Sequence, residues 1–266
     1  MVTATLQRFE SVEESGNRFL KIWTHRFDFL YAEHTEPGKR PEWITESRFP
    51  LSDRLIEQGA YLYGVRFGQA TQYAMLDIDA GSPYHPRRAP LEITRIASAL
   101  EPLGLTQYLT LTSSESGGLH LYFPFTEKLL SYEVGLAITT LLENKGFKII
   151  PGWLEVFPNA KAYSPQGQTL YNGHRLPLQQ GSYLLRDNLE PIESSDTLFL
   201  SSWDTAQSHN DITSKTLEAV IARAQRKSYH ISCKAEKFLN DLNAEVAAGW
   251  TGKGQTNRLI GRIAMR

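Results

Sequence analysis

Asp77 and Asp79 stand two residues apart at the end of an apolar run that begins at Tyr73. In a β-strand, residues i and i+2 point to the same face, so both carboxylates project together. Like charges held side by side repel, and burying them is costly unless a cation compensates. Mg²⁺ and Mn²⁺ prefer such oxygen ligands. The spacing predicts a metal-dependent phosphoryl- or nucleotidyl-transfer site, with an Asp-containing turn after a strand as the alternative.

Size and composition bound the class of protein. The chain has 266 residues, of which 41% are hydrophobic, enough for one large core or for one core plus a smaller unit. Cys233 is the single cysteine, which excludes a disulfide framework or a Cys-rich zinc site within the chain and predicts a reducing, cytoplasmic location. Because the N-terminus has no apolar h-region and no apolar run approaches ~18 residues, we expect neither a signal peptide nor a membrane span.

Charge is unevenly distributed although the net charge is only -1. Residues 206–266 carry ten Lys or Arg against five Asp or Glu, whereas residues 1–205 carry 18 against 24. This predicts two domains, 1–205 and a basic helical 206–266, the second contacting a polyanion. A solvated helix surface is the alternative. The last helical pattern is cut at Arg266, so we expect a longer protein in which 206–266 is truncated.

Periodicity and turn residues predict the elements that position the two acids. The predicted order is strand 72–79, helix 91–103, strand 106–112, strand 119–125 with Pro124 at its end, helix 132–144 and strand 153–157. A β-α-β-β-α-β order is the ferredoxin-like, or RRM-like, arrangement. The fold class is therefore α+β, with an N-terminal α/β extension and a C-terminal helical segment.

This arrangement predicts that polar residues from three strands converge. The first and third strands are central in a ferredoxin-like sheet, and the fourth flanks the first. Asp77 and Asp79 would lie on a central strand, Glu155 on the strand beside it and His120 on the strand at its other side. Individually, His120 is also explained as a hydrogen-bonded core residue and Glu155 as part of a solvated face.

In this order the motifs resemble those of the archaeo-eukaryotic primase superfamily, the primase-polymerases. The motifs are Asp77-Ile78-Asp79, Gly118-Leu119-His120 and Leu154-Glu155. Residues 113–122 also resemble a segment of bacterial end-joining polymerase domains, and the resemblance covers about residues 55–185. Two departures are Gly118, where the family often has Ser, and Glu155, where Asp is more frequent.

The resemblance implies a two-metal nucleotidyl transfer with a defined set of site residues. Asp77, Asp79 and Glu155 would be the catalytic residues and would hold two Mg²⁺ or Mn²⁺ ions. His120 and the turn before it would contact the nucleotide triphosphate, as nest-like loops do. The implied nucleotide-binding residues are Ser114, Ser116, Gly118, His120, Lys161, Arg175 and Arg66. Among the cations Arg175 is the best match, and for Arg66 an exposed strand charge is the alternative.

The implied function is a DNA primase-polymerase that serves a plasmid, phage or other mobile element. Its partners would be a single-stranded DNA template, NTP or dNTP substrates, and a helicase or a further C-terminal domain. In the basic segment, Lys253, Arg258 and Arg262 are candidate nucleic-acid contacts, with a plain helix entry as the alternative.

Two other functions stay open. One is a metal-dependent nuclease or rolling-circle initiator, which usually needs a His-x-His pair where this chain has His120 and Tyr122. The other is a non-catalytic nucleic-acid-binding module with the same fold.

Overall fold

The computed structural model describes residues 16–36, 39–161 and 170–224. The protein is a mixed α+β structure with two four-stranded antiparallel sheets. The chain divides into two compact units, residues 1–220 and 221–266, and nearly all of the second lies outside the described residues. The predicted boundary between residues 205 and 206 stays a prediction. No helix of the described residues is both long and apolar enough to cross a membrane.

Each sheet draws its strands from a different part of the chain. The first sheet contains β1 (Phe29–Ala32), β2 (Ile44–Glu46), β3 (Leu62–Arg66) and β8 (Gly173–Arg175), in the order β2-β1-β3-β8. The second contains β4 (Ala70–Ile78), β5 (Leu109–Thr112), β6 (Leu119–Leu130) and β7 (Leu154–Phe157), in the order β5-β6-β4-β7. The labelled helices are α1 (Arg18–Lys21), α2 (Asp53–Gln58), α3 (Glu92–Leu100), α4 (Ser131–Asn144) and α5 (Asp196–His209), and residues 214–224 are also helical.

The second sheet confirms the predicted β-α-β-β-α-β topology. Helix α3 joins β4 to β5 and α4 joins β6 to β7, while β4 and β6 are central and β7 flanks β4. The helix predicted over residues 91–103 is α3 followed by one 3-10 turn, which Gly104 ends at φ 81. Glycine fits there because a positive φ costs it little.

Pro124 does not end its strand as predicted, because β6 continues to Leu130. Strand β5 begins at Leu109, opposite Tyr122, and so never reaches Pro124 on that side of β6. The missing N–H of proline therefore costs no ladder hydrogen bond there, and the Pro124 carbonyl accepts from Asn210 Nδ2 at 2.8 Å. A proline that reads as a strand end in sequence is tolerated where the neighbouring strand has stopped.

One hydrophobic core joins the two sheets and is centred on Trp23, which is 1% exposed. The Trp23 ring makes edge contacts with Tyr73, Tyr122 and Trp203. His174 of β8 is buried in the same core, where its Nε2 lies 2.9 Å from the Tyr73 hydroxyl. Burial lowers the pKa of His174 to about 3, so the imidazole is neutral and the two sheets are held together by a hydrogen bond between uncharged groups.

Candidate active site

A row of polar residues crosses the second sheet where its apolar rows end. Asp77 of β4 is the direct partner of His120 on β6 and of Glu155 on β7. Direct cross-strand partners share a face, so the three side chains project together. Asp79 follows the last residue of β4 and, two residues beyond Asp77, lies on the same side. The structure thus brings together the four residues that the sequence predicted to converge.

The row before it on the same face is apolar and buried. Met75 pairs with Tyr122 on one side and with Phe157 on the other, and these three residues are at most 5% exposed. The acids therefore stand at the edge of the core rather than on an open surface. This position supplies a stiff base for the carboxylates and removes part of their hydration.

The carboxylates perturb one another. Burial raises the pKa of Asp79, and the charge of Asp77 raises it further. Burial likewise raises the pKa of Glu155, with further contributions from Asp77 and Asp79. The backbone of Gly152 lowers the pKa of both Asp79 and Glu155 and so opposes these shifts. His120 Nε2 lies 3.8 Å from Asp77 Oδ1. The site accumulates negative charge that these neighbours only partly offset.

A cavity of about 270 Å³ opens beside the row, between residues of the two sheets. Its polar wall consists of Asp77, Ser113, Ser114, His120 and Arg175. The rest of the lining is Leu30, Pro41, Trp43, Phe157, Gly173 and His174. One imidazole, two hydroxyls and one guanidinium therefore face a space shared with one carboxylate. The first three kinds of group can donate hydrogen bonds to a phosphorylated ligand, whereas the Asp77 carboxylate would repel it unless a cation lies between them.

Arg175 contributes the positive charge of this cavity from the opposite sheet. Its Nη2 donates to the Gln180 carbonyl, whereas its buried Nε has no hydrogen-bond partner among the described residues. Burial lowers the pKa of Arg175, and the charge of Glu115 acts in the other direction. A buried donor without a partner is costly, and a bound anion would satisfy it.

The turn between β5 and β6 is closed by its own hydrogen bonds. Ser113 N–H donates to the Gly118 carbonyl at 2.7 Å, and the Ser114 and Ser116 hydroxyls lie 2.9 Å apart. A Cβ at Gly118 would lie 2.7 Å from Ser113 Oγ and 3.3 Å from the Ile78 carbonyl oxygen. Glycine at this place therefore lets the turn close against the end of β4, which gives a local reason for glycine at this position.

Not all predicted contacts reach the cavity. The guanidinium of Arg66 donates to the carbonyls of Asp28 and Tyr171 and to Thr45 Oγ1, at 2.8–2.9 Å. These hydrogen bonds connect β3 to two loop residues and to β2. Lys161 lies close enough to Arg66 for their charges to interact, and burial together with Arg66 lowers its pKa.

Glu155 lines a second cavity, of about 260 Å³, on the other side of the acid row. Ser116 and Gly118 belong to the turn but not to the cavity wall. Lys253, Arg258 and Arg262 lie outside the described residues.

Three residues of the site carry no recognisable signal in the sequence. Arg40 stands in the loop before β2, and its charge lowers the pKa of Asp79 against the dominant effect of burial. Trp43 lines the cavity from the same segment. Gly152 reaches both acids through its backbone. All three are brought to the acids by tertiary packing, which no local pattern of residue types encodes.

The chemistry and charge of the acids fit a hard divalent cation, because Asp77, Asp79 and Glu155 offer only oxygen donors and repel one another. Among the described residues, no group of three or more His, Cys, Asp or Glu side chains is already arranged to hold a metal ion. The fit is therefore one of donor type and charge.

Comparison with known proteins adds little. No family model matches the chain, and no curated protein matches it. Among solved structures, the chain is similar to the AEP domain of the primase-polymerase (PrimPol) of cyanophage S-2L, with a TM-score of 0.31 and 12% sequence identity over 66% of this chain and 87% of that one. At this TM-score neither a fold nor a role is inferred from the match.

Proposed function

We propose that this chain is a nucleotidyltransferase of the primase-polymerase type, which adds nucleotides to a 3′ end on a single-stranded DNA template. The observation that carries the proposal is the row His120–Asp77–Glu155 across three adjacent strands, with Asp79 beside it. Two members of this row, Asp77 and His120, also line the cavity that contains Arg175. One of the acids thus shares a cavity with the groups that would bind phosphate.

Asp77, Asp79 and Glu155 would hold the divalent cations. The raised pKa values of Asp79 and Glu155 reflect burial and repulsion by neighbouring carboxylates, and both effects are relieved when positive charge is bound. Bound Mg²⁺ or Mn²⁺ would lower the pKa of an attacking 3′-hydroxyl and stabilise charge on the leaving pyrophosphate. The protein supplies stiffness, because two of the acids stand on paired strands above a buried apolar row.

His120, Ser114 and Arg175 would hold the triphosphate. The imidazole and the hydroxyl stand at neighbouring strand and turn positions of one sheet, and the guanidinium approaches from the other sheet. The Arg175 guanidinium lines the same cavity as His120 and Ser114 and is the positively charged group there that would pair with a phosphate. Donors that are fixed before the substrate arrives need little reorganisation during reaction, which is where most of the rate acceleration would arise.

The biological setting is proposed from the sequence. The resemblance to primase-polymerases supports a single-stranded DNA template, NTP or dNTP substrates and service to a plasmid, phage or other mobile element. The excess of basic residues in 206–266 supports contact with nucleic acid by that segment, through Lys253, Arg258 and Arg262. A helicase or a further C-terminal domain completes the proposed partners.

Synthesis on single-stranded DNA tests this proposal. The protein is incubated with unprimed and primed templates, Mg²⁺ or Mn²⁺, and NTPs or dNTPs, beside Asp77→Ala and Asp79→Ala. The exposed Glu57 of α2 provides the matched control, Glu57→Ala. We expect products from the wild type and the control, and a loss of at least about 100-fold in either aspartate variant, since each removes charge at the reacting centre.

Three results would contradict the proposal. Full synthesis by either aspartate variant would show that the acids are not the reacting centre. Acid-dependent shortening of the DNA without synthesis would favour the nuclease. DNA binding that is unchanged in the variants, without synthesis by the wild type, would favour the non-catalytic module.

A further inference from the structure

The cavity beside the acids has two unlike walls. Asp77, His120 and Arg175 belong to the polar wall. The wall contributed by the segment before β2 is apolar and contains Pro41 and Trp43. A triphosphate uses only the polar wall, so the apolar wall needs a different part of the ligand.

Trp43 is placed to contact a ligand rather than to complete the core. Its side chain is 37% exposed, whereas Trp23 and Trp203 in the core are 1% and 4% exposed. Those two indoles are surrounded by aromatic rings, but no ring of the described residues packs against Trp43. A large aromatic surface that lines a cavity without a ring partner is suited to stacking on a flat group.

Two glycines allow close packing on the neighbouring sheet face. Gly64 of β3 and Gly173 of β8 lie on the face of the first sheet that also carries Leu30 and Arg175. A Cβ at Gly173 would lie 2.4 Å from Leu30 Cδ1, and a Cβ at Gly64 would lie 2.7 Å from the His174 carbonyl oxygen. Glycine at these two positions lets Leu30 and the His174 backbone approach closely, and Leu30 and Gly173 line the cavity together with Trp43.

We infer that Trp43, supported by Pro41, is the stacking surface for the base of the incoming nucleotide. The inference rests on the proposed function and deepens it by assigning the end of the substrate that the acids do not touch. A nucleotide with its phosphates against His120 and Arg175 extends toward the apolar wall. Stacking uses the face that every base has, so Trp43 accepts all four bases and leaves selection to the template.

Nucleotide binding without DNA tests this role separately from synthesis. Isothermal titration calorimetry with Mn²⁺ compares dATP with inorganic tripolyphosphate, which has phosphates but no base. The proteins are the wild type, Trp43→Ala and Trp43→Phe. Phe49→Ala is the matched control, because Phe49 is an exposed aromatic (44%) that packs on Phe29 and does not line the cavity.

We expect Trp43→Ala to weaken dATP binding about tenfold, which is typical of the loss of one base-stacking aromatic side chain. The affinity for tripolyphosphate should stay within about twofold of the wild-type value. Trp43→Phe should recover most of the loss, and the control should match the wild type. Unchanged dATP affinity in Trp43→Ala overturns the inference, as does an equal loss of dATP and tripolyphosphate binding. Absence of dATP binding by the wild type also overturns it.

The two proposals fail in different ways. A wild-type protein that binds dATP through Trp43 but synthesises no DNA contradicts the proposed function and keeps the inference. A protein that synthesises DNA with a dATP affinity independent of Trp43 does the reverse.

Discussion

Glu155→Gln should stabilise the metal-free protein at neutral pH while it removes a ligand of the proposed cation site. Burial, Asp77 and Asp79 all raise the pKa of Glu155, which means that the folded protein favours its protonated form. A carboxyl whose pKa is raised on folding stabilises the folded state at pH values below its unfolded pKa of about 4.3. That stabilisation is lost as the pH rises through the pKa of the folded state. Glutamine keeps the shape and never acquires the charge.

The size of the effect follows from the register. Asp77 and Glu155 are direct cross-strand partners, so their Cβ atoms are about 5 Å apart. At that separation Coulomb's law gives about 3 kcal/mol at an effective dielectric of ~20 and about 0.8 kcal/mol in water. The Asp77 side chain is 25% exposed, so water screens part of this repulsion, and about 1 kcal/mol is the least relief that we expect, since burial and Asp79 also raise the pKa of Glu155. For a chain of this length that corresponds to about 2–4 °C in melting temperature.

Scanning calorimetry in EDTA measures this difference at pH 7 and again near pH 4. We expect Glu155→Gln to melt about 2–4 °C above the wild type at pH 7 and the gap to close near pH 4, where the wild-type carboxyl is protonated. Glu57→Gln, at an exposed site of α2, should change the free energy of unfolding by less than about 0.5 kcal/mol. A variant that melts at or below the wild type at pH 7 refutes the account of mutually repelling acids.

Two further substitutions test the supports of the site. Gly118→Ala should weaken nucleotide binding and lower the free energy of unfolding by about 1–3 kcal/mol, because the new Cβ meets Ser113 Oγ and the Ile78 carbonyl. Titration with dATP measures the binding, and denaturant unfolding measures the stability. Wild-type values in both measurements would contradict the packing argument. Tyr73→Phe should lower the free energy of unfolding by about 1–3 kcal/mol, because it leaves the buried Nε2 of His174 without its partner. An unchanged midpoint of denaturant unfolding would show that this hydrogen bond contributes nothing to stability.

The second sheet could be predicted because its signals are local. Each of its strands is an apolar run with turn residues at its ends, and the glycine after each of its two helices marks a stop. The strand order then follows from the β-α-β-β-α-β sequence of elements, and it placed Asp77 between His120 and Glu155 before any register was known. The end of β6 could not be predicted, because a strand tolerates Pro124 only where its neighbouring strand has stopped, and that position depends on the pairing of β5 with β6.

The rest of the site depends on contacts distant in sequence. Arg66 stays a predicted nucleotide contact, but each of its three guanidinium nitrogens donates to a residue distant in sequence, namely Asp28, Tyr171 and Thr45. Trp43 had no local pattern to mark it, because it reaches the cavity only when β2 pairs with β1 beside β3. Local sequence patterns therefore identify functional side chains that lie on one helix or strand. They do not identify side chains, such as Trp43, that reach the site from the other sheet.

Single-nucleotide extension of a primed template in Mn²⁺ tests the central claim most directly, with the wild type compared with the near-isosteric Asp77→Asn. The account predicts that the wild type adds the nucleotide complementary to the template base and that Asp77→Asn, which keeps the strand and loses the charge, is slower by at least about 100-fold. Extension at the wild-type rate by Asp77→Asn would contradict it, because the reaction would then occur without the carboxylate that stands at the centre of the row.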